Sequence, residues 1–417
     1  MDMPLKNESG PVSIGMRRKV LIFSLAYFPD HVGGAEVSIK EITDRLPDIE
    51  FHMVTNRFNS ELSVEEKIGN VIVHRIGTTM RNPTMLDLKK FPLVLNKFSY
   101  QFHAAWTAHA LDREHHFDAM WAMMAHSTGV PAAIMKLFHP KMGYVLNLQE
   151  GDPTDYVERK LVPLWPLFKR AFTSADIVQP LSTYLADWAK RMGFKGTLEI
   201  IPNGTDTKRF SQTYPEQEIN EIRAKIGKKP GDVYLVTTSR LVHKNGLEDV
   251  LWALTLVPDT VKLAVVGSGP DELKLKALVQ ELQLWERVHF LGFVPHEEIP
   301  KYLKACDVFI RPSRSEGFGS AFVEAMAAGL PVVATQEGGI ADFLFDEKRN
   351  TDKPSTGWAV DKDAPQSIAQ AITDIITRPE KVKDVVANAD KMVKEKYDWD
   401  IIAKSMNERV FTKLFAQ

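Results

Sequence analysis

Two glutamates, Glu316 and Glu324, stand in an unbroken stretch of suggestive chemistry: Arg311-Pro312-Ser313-Arg314-Ser315-Glu316-Gly317-Phe318-Gly319-Ser320, running on through Gly329-Leu330-Pro331 into Val332-Val333-Ala334-Thr335. Gly317 and Gly319 let a backbone approach a ligand closely. The N–H groups of Phe318, Gly319 and Ser320, at the start of a helix, would point at an anion. Glu324 lies among apolar residues one turn further on, and an unpaired buried carboxylate is costly, so it requires a sugar hydroxyl, a backbone N–H or a cation as partner. A phosphate site between two carboxylates describes a pocket for a phosphorylated sugar. The plainer alternative is a capped strand–helix–strand unit with solvated acids, but two glycines, two acids and a helix stop coincide here.

The elements that must position these groups can be read around them. Val308-Phe309-Ile310 and Val332-Val333-Ala334 are short, apolar and β-branched, as buried parallel strands are. The helix between them is expected over 320–328, ended by Gly329 in a left-handed cap and by Pro331. A strand over 233–239 precedes Arg240 and Lys244; ligands of open α/β sheets lie at the carboxyl ends of strands, so both cations are placed to meet a diphosphate. Gly267-Ser268-Gly269-Pro270 closes the strand 263–266 and is either a plain turn or a close approach to the ligand. Gly33-Gly34 sits between the first strand and a helix beginning near Ala35, where it is equally a phosphate loop or a tight turn. Gln149-Glu150-Gly151-Asp152 ends another strand, its acids serving an acceptor or capping the next helix. Asn203-Gly204-Thr205-Asp206 reads as a turn and cap.

Composition frames a two-domain enzyme. The chain has 417 residues, too many for one typical core, and a net charge of −2, which excludes a general nucleic-acid binder. Its single cysteine, Cys306, excludes an internal disulfide, suits a reducing compartment and reads as a small buried residue. Arg17-Arg18-Lys19 before Val20–Phe28 mimics a signal peptide, yet Pro29-Asp30-His31 and Gly33-Gly34 replace a cleavage site, so a buried first strand after a polar tail is expected. No apolar run reaches the roughly 18 residues of a membrane span. Strands are expected near 19–26, 51–55, 71–76, 118–124, 143–148, 176–179 and 198–201, with helices over 35–46 and 93–114. The alternation restarts with 233–239, 261–266, 288–291, 308–310 and 332–334, which argues for two doubly wound α/β domains. The charged segment 211–229 reads as a link with a helix, and the pattern Ile401, Ile402, Met406, Val410, Leu414, Phe415 after Asp398 as a capped amphipathic helix.

The pattern E-G-F-G-x4-E-A-M-A-x-G-x-P-V-V-A-T, residues 316–335, resembles the donor-site signature of retaining GT-B glycosyltransferases, in particular glycosyltransferase family 4, also called glycosyl transferases group 1. The resemblance implies two Rossmann-like domains facing across a cleft. A tail at 1–18 would precede an acceptor domain at 19–205 and a nucleotide-sugar domain at 206–395, with a helix at 396–417 crossing back to the first. It implies a catalytic set of Glu316, Arg240, Lys244 and His126. Donor contacts would come from Glu324, Gly317, Phe318, Gly319, Ser320, Gly33, Gly34, Gly267, Phe293 and Val294. His126 would replace a histidine that relatives carry where this chain has Trp121 and Met123, and is equally a hydrogen-bonded loop residue.

Activity, too, is what the resemblance implies: transfer of a hexose from a UDP- or GDP-sugar to a glycan or lipid-linked acceptor, with retention, in the cytoplasm, either free or on the inner face of the membrane. Neither cofactor nor catalytic metal is expected. Asp361-Lys362-Asp363 and Asp398-Trp399-Asp400 have a metal-binding D-x-D form, but one lies in a loop and the other caps the last helix; His296-Glu297-Glu298 lacks the second histidine of a zinc protease. The mixed apolar and basic runs 161–170 and Lys89-Lys90-Phe91-Pro92 suit either an anionic membrane or packing on the first domain. Two rivals remain: a sugar-nucleotide epimerase of similar fold, and a non-catalytic sugar-nucleotide-binding partner protein.

Overall fold

The structure, a computed structural model, describes residues 17–84 and 87–416, so most of the expected N-terminal tail lies outside the described residues. The first sheet contains β1 (Arg18–Phe23), β2 (Ile49–Asn56), β3 (Glu65–Ile68), β4 (Val71–Ile76), β5 (Ala119–Met123), β6 (Gly143–Leu148), β7 (Ile177–Pro180) and β8 (Thr197–Leu198). Their order is β3-β4-β2-β1-β5-β6-β7-β8, parallel throughout except for β3, which runs antiparallel to β4. The second contains β9 (Val233–Thr238), β10 (Val261–Val266), β11 (Val288–Gly292), β12 (Val308–Arg311), β13 (Val332–Ala334) and β14 (Trp358–Ala359), all parallel, in the order β11-β10-β9-β12-β13-β14.

The antiparallel edge strand β3 aside, both orders reverse direction once, between β1 and β5 and between β9 and β12. At such a switch point the loops after neighbouring strands diverge to opposite faces and leave a crevice at the carboxyl ends. The Gly33-Gly34 loop follows β1, and the helix Ala125–Phe138, with His126 in its first turn, follows β5; the Arg240–Lys244 and Ser313–Gly319 loops follow β9 and β12. Topology thus gathers the expected chemistry at two crevices.

Apolar runs became strands where both faces are covered: Val20, Leu21, Ile22 and Phe23 are fully buried. The first strand stops at Phe23 rather than 26, and the expected strand at 198–201 is reduced to Thr197–Leu198. The expected helix 93–114 is a 3-10 turn, Leu93–Leu95, followed by Asn96–His115, and the link contains two helices, Thr207–Ser211 and Glu216–Lys225. Cys306 is buried, which pushes its thiol up to about 12.

The last helical segments, Trp399–Met406, Asn407–Phe411 (π-helical) and Thr412–Phe415, lie against the outer face of the first sheet. Trp399, Ile402, Met406, Val410, Phe411 and Leu414 join a core with Val20, Ile22, Phe51, Met53, Trp121 and Val145. Asp398 caps the helix by accepting the Asp400 N–H at 2.9 Å. Ion pairs fix its flank: Arg409 and Lys413 to Glu199, both at 2.6 Å, and Asp400 to Arg45 at 2.7 Å. The two passages between domains are themselves tied, Thr205 N–H to Tyr397 O at 2.7 Å and Trp399 N–H to Thr205 O at 3.3 Å.

Phe411 is fully buried, edge-on to Phe51 and Trp121 at ring distances of 5.9 and 5.6 Å. Phe411→Ala is expected to cost about 3–5 kcal/mol of stability, read by urea unfolding; a loss below ~1 kcal/mol would mean that the helix does not complete this core.

Candidate functional site

At the end of β12 the chain turns a buried arginine toward its own loop. Arg311 has a side chain only 8% exposed; it donates to Glu316 Oε2 at 3.1 Å and lies 4.1 Å over the Phe322 ring. Burial lowers its pKa, against the attraction of Glu316 and Glu324. Glu316 is held a second way, its carbonyl accepting the Gly339 N–H at 2.9 Å. Gly319, at φ 89°, is the N-cap of the helix Ser320–Ala327, and a side chain there would press on Phe322 and Arg311. The Phe318 ring is buried between Phe343 and Tyr397, so only its backbone faces the cleft. Among the described residues the N–H groups of Phe318 and Gly319 have no hydrogen-bond acceptor. Ser320, half-buried, opens the helix.

Opposite this loop stands the segment that ends β6. A Cβ on Gly317 would collide with the Glu150 carbonyl oxygen, so glycine sets how closely the two domains meet. Lys244 Nζ donates to the Gly151 carbonyl at 2.8 Å and lies 3.5 Å from Asp152; Ser315 Oγ reaches the same carbonyl at 3.2 Å. A methyl group on Gly151 would be 2.8 Å from Lys244 Nζ and 3.4 Å from Glu316 Oε1, so the cation and the carboxylate converge on one point. Arg240 is exposed, with no partner for its guanidinium among the described residues, and Asn245 Nδ2 fixes its carbonyl at 2.7 Å. Thr183 N–H donates across the cleft to Asp342 at 2.7 Å.

The remaining candidates are placed less directly. Glu324 is not free for a ligand: its Oε1 lies 2.9 Å from Nε2 of His296, whose Nδ1 meets Arg209 at 3.1 Å. That contact to Glu324 raises the His296 pKa against burial. His296, three residues beyond Phe293, is a site residue that the sequence reading set aside with the zinc motif. Phe293 is exposed while Val294 packs on the core. Gly267 does not offer its N–H to a nucleotide, because Gly292 O accepts it at 2.7 Å; its positive φ lets the backbone lie against Ser239. Gly33 likewise gives its N–H to Glu36 at 2.9 Å, and Gly34 faces Asn203.

His126 is half exposed and meets the buried carboxylate of Glu150 through its backbone N–H at 3.2 Å and its Nδ1 at 3.3 Å. Glu150, also bonded to the Gln149 N–H at 3.0 Å, therefore holds the first turn of the helix Ala125–Phe138 instead of facing an acceptor or capping the helix that follows Pro153. Trp121 and Met123 lie under the last helix, away from the cleft. The D-x-D carboxylates are engaged elsewhere: Asp361 with Arg349 at 2.8 Å, Asp363 with Arg314 at 2.5 Å, Asp398 in its cap.

Comparison with known proteins agrees with this geometry. The model of glycosyl transferases group 1 matches residues 218–392 and that of Glycosyltransferase Family 4 matches 32–209, one on each sheet. The chain is 33% identical over 225 residues to the GDP-mannose-dependent alpha-(1-6)-phosphatidylinositol monomannoside mannosyltransferase of Mycolicibacterium smegmatis, covering 51% of this chain and 56% of that one. It is 28% identical to the putative teichuronic acid biosynthesis glycosyltransferase TuaC of Bacillus subtilis, over 71% and 70%. The matches span between 52% and 63% of the length of the first curated relatives. In fold it is similar to sucrose-phosphate synthase from Thermosynechococcus elongatus (TM-score 0.79, 21% identity, 96% and 100% covered) and to Anabaena Alr3699/HepE in complex with UDP and glucose (0.73, 23%, 95% and 100%). Two matched halves, two facing Rossmann-like sheets and the Glu316–Glu324 loop at the second switch point lead to one conclusion: the chain belongs to glycosyltransferase family 4, the group 1 glycosyl transferases, and has the GT-B fold.

Proposed function

We propose that this chain transfers a hexose from a UDP- or GDP-sugar to an acceptor hydroxyl with retention of configuration, without cofactor or catalytic metal, in the synthesis of a cell-surface polysaccharide or glycolipid at the cytoplasmic side of a membrane. The observation that carries the reading is the convergence of Lys244 and Glu316 on the Gly151 loop; Arg240, four residues before Lys244, has no partner for its guanidinium among the described residues. Rupture of the anomeric carbon–phosphate bond puts charge on the departing diphosphate and leaves an oxocarbenium-like sugar. Arg240, Lys244 and the free N–H groups at Gly319 stabilise the first. Glu316, oriented by Arg311, holds the sugar hydroxyls; Glu324 exchanges His296 for the ribose diol. The acceptor attacks from the face the diphosphate leaves, and the diphosphate takes its proton. The names of the mannosyltransferase relatives make GDP-mannose the first donor to test.

A lipid-linked acceptor fits the surface of the first domain. The helix Asn96–His115 buries Tyr100, Ala104, Ala105 and Ala108 and exposes Phe98, Phe102 and Trp106 on its other side, the last two 54% and 75% exposed. Leu95 and Phe91 extend the stripe, and Lys89, Lys90 and Lys97 border it, a composition that suits an anionic bilayer surface. No helix among the described residues is long and apolar enough to cross a membrane.

Lys244→Ala should lower turnover of the accepted donor about 100-fold, the effect of losing one group that stabilises developing charge, and nucleotide should be released only when acceptor is supplied. Release without acceptor, or an unaltered rate in the variant, would count against a transferase built on Lys244. The His296–Glu324 contact has a pH signature. Because the folded pKa of His296 is raised above 6.5, its stabilisation is full below that value and lost as pH rises through the higher folded value. The difference in melting temperature between wild type and His296→Gln should shrink over that rise; a pH-independent difference would deny the pairing. In vesicle flotation, wild type should bind anionic liposomes at low salt, and Phe102→Asp with Trp106→Asp should abolish it; equal flotation would remove this stripe as the membrane face.

A further inference from the structure

Away from the cleft, the first sheet carries a cluster of histidines that transfer chemistry does not use. His52 lies midway along β2, and His74 stands on β4 opposite Val54, two residues along and therefore on the same face. The helix Asn96–His115 runs back along that face and ends with His115 over them, its ring centroid 4.3 Å from that of His52. One ring nitrogen from each of the three lies within 4.8 Å of the others; His52 and His74 are buried and His115 is half-buried. No other such triad of metal-ligating side chains occurs among the described residues.

The hydrogen-bond pattern defines what belongs between them. His52 Nε2 meets Glu50 Oε1 at 3.0 Å, and His74 Nδ1 meets Glu65 Oε2 at 3.1 Å. Ionised carboxylates only accept, so both outer ring nitrogens carry the protons. The inner nitrogens, His52 Nδ1 and His74 Nε2, are then both lone pairs, yet they face each other at 3.0 Å. Two lone pairs at that distance repel unless an electrophile lies between them: a third proton, making one ring an imidazolium, or a cation. Both rings are buried, where an added charge costs desolvation, and their inner nitrogens face each other rather than an acceptor. A carboxylate on the remote nitrogen is also how metal-binding imidazoles are oriented. Tetrahedral Zn–N bonds set neighbouring nitrogens about 3.4 Å apart, a few tenths of an ångström beyond the distance seen.

The geometry points to a divalent metal site of the zinc class formed by His52, His74 and His115, with Glu50 and Glu65 holding the first two rings. It lies midway along β2 and β4, outside the cleft loops, and would pin these strands and the end of the helix Asn96–His115 together. Three imidazoles favour Zn²⁺, Ni²⁺ or Cu²⁺ over Mg²⁺ or Ca²⁺.

The test is titration calorimetry of tag-free, chelator-treated full-length protein with Zn²⁺ alone, beside thermal unfolding with and without the ion. Wild type should bind one equivalent and melt higher when loaded. His115→Ala, at the half-buried helix end, should weaken binding at least tenfold, and Glu65→Gln by about tenfold. His103→Ala, on the exposed side of the same helix, should bind like wild type. His74→Asn is a further variant, and circular dichroism verifies that each is folded. No stoichiometric binding by wild type, or binding indifferent to both His115→Ala and Glu65→Gln, would overturn the site and leave a proton between His52 and His74.

Discussion

A guanidinium buried as deeply as Arg311 cannot keep its charge without a carboxylate, and this constraint organises the second domain's end of the cleft. Glu316 meets the requirement at 3.1 Å and the Phe322 face shields the other side. The pair must sit where β12 ends, which fixes the loop that follows and the direction in which the helix Ser320–Ala327 departs. Glu316 is thus presented to the cleft by an interaction made behind it. Removing either partner would strand the other, so orientation of this acid and stability of the loop are one property of the fold.

Much of this was legible because it is local. The glycines, acids and helix stop of residues 316–331 occupy one continuous segment, and the two runs of strand–helix alternation carry the doubly wound topology with them. What escaped the sequence is set by distant contacts. Arg311 reads as the polar end of a strand until Glu316 folds back on it; His296 acquires meaning only when Glu324 arrives 28 residues later. Glu150 reads as an acceptor ligand, but tertiary packing buries it under His126. Strand β3, Glu65-Glu66-Lys67-Ile68, was missed because an edge strand needs no apolar face. Gly33 and Gly267 show the limit of reading glycine as a ligand signal: in each the N–H is taken within the protein.

Two regions of the first sheet have opposite characters. At the carboxyl ends, backbone groups and half-exposed polar side chains are assembled from several loops and meet the second domain through close contacts at Gly151 and Gly317. Midway along β2 and β4, polar side chains on rigid strands and a helix terminus are interlocked with one another. Motion between domains must work against the first set and leaves the second undisturbed. The backbone bonds of Thr205 to Tyr397 and Trp399 tie the two inter-domain passages to each other.

The returning helix also sets a timetable for biosynthesis. Six side chains between Trp399 and Leu414 cover the outer face of the first sheet, which is otherwise complete by residue 198. A ribosome adding 5–20 residues per second takes on the order of ten to forty seconds to make the intervening chain. Throughout that interval the nascent first domain presents Val20, Ile22, Phe51 and Trp121 without their cover, a hydrophobic surface that chaperones can recognise. The first domain's core is therefore closed only after the second domain's strands have been made, and its folding is coupled to synthesis of residues 399–414.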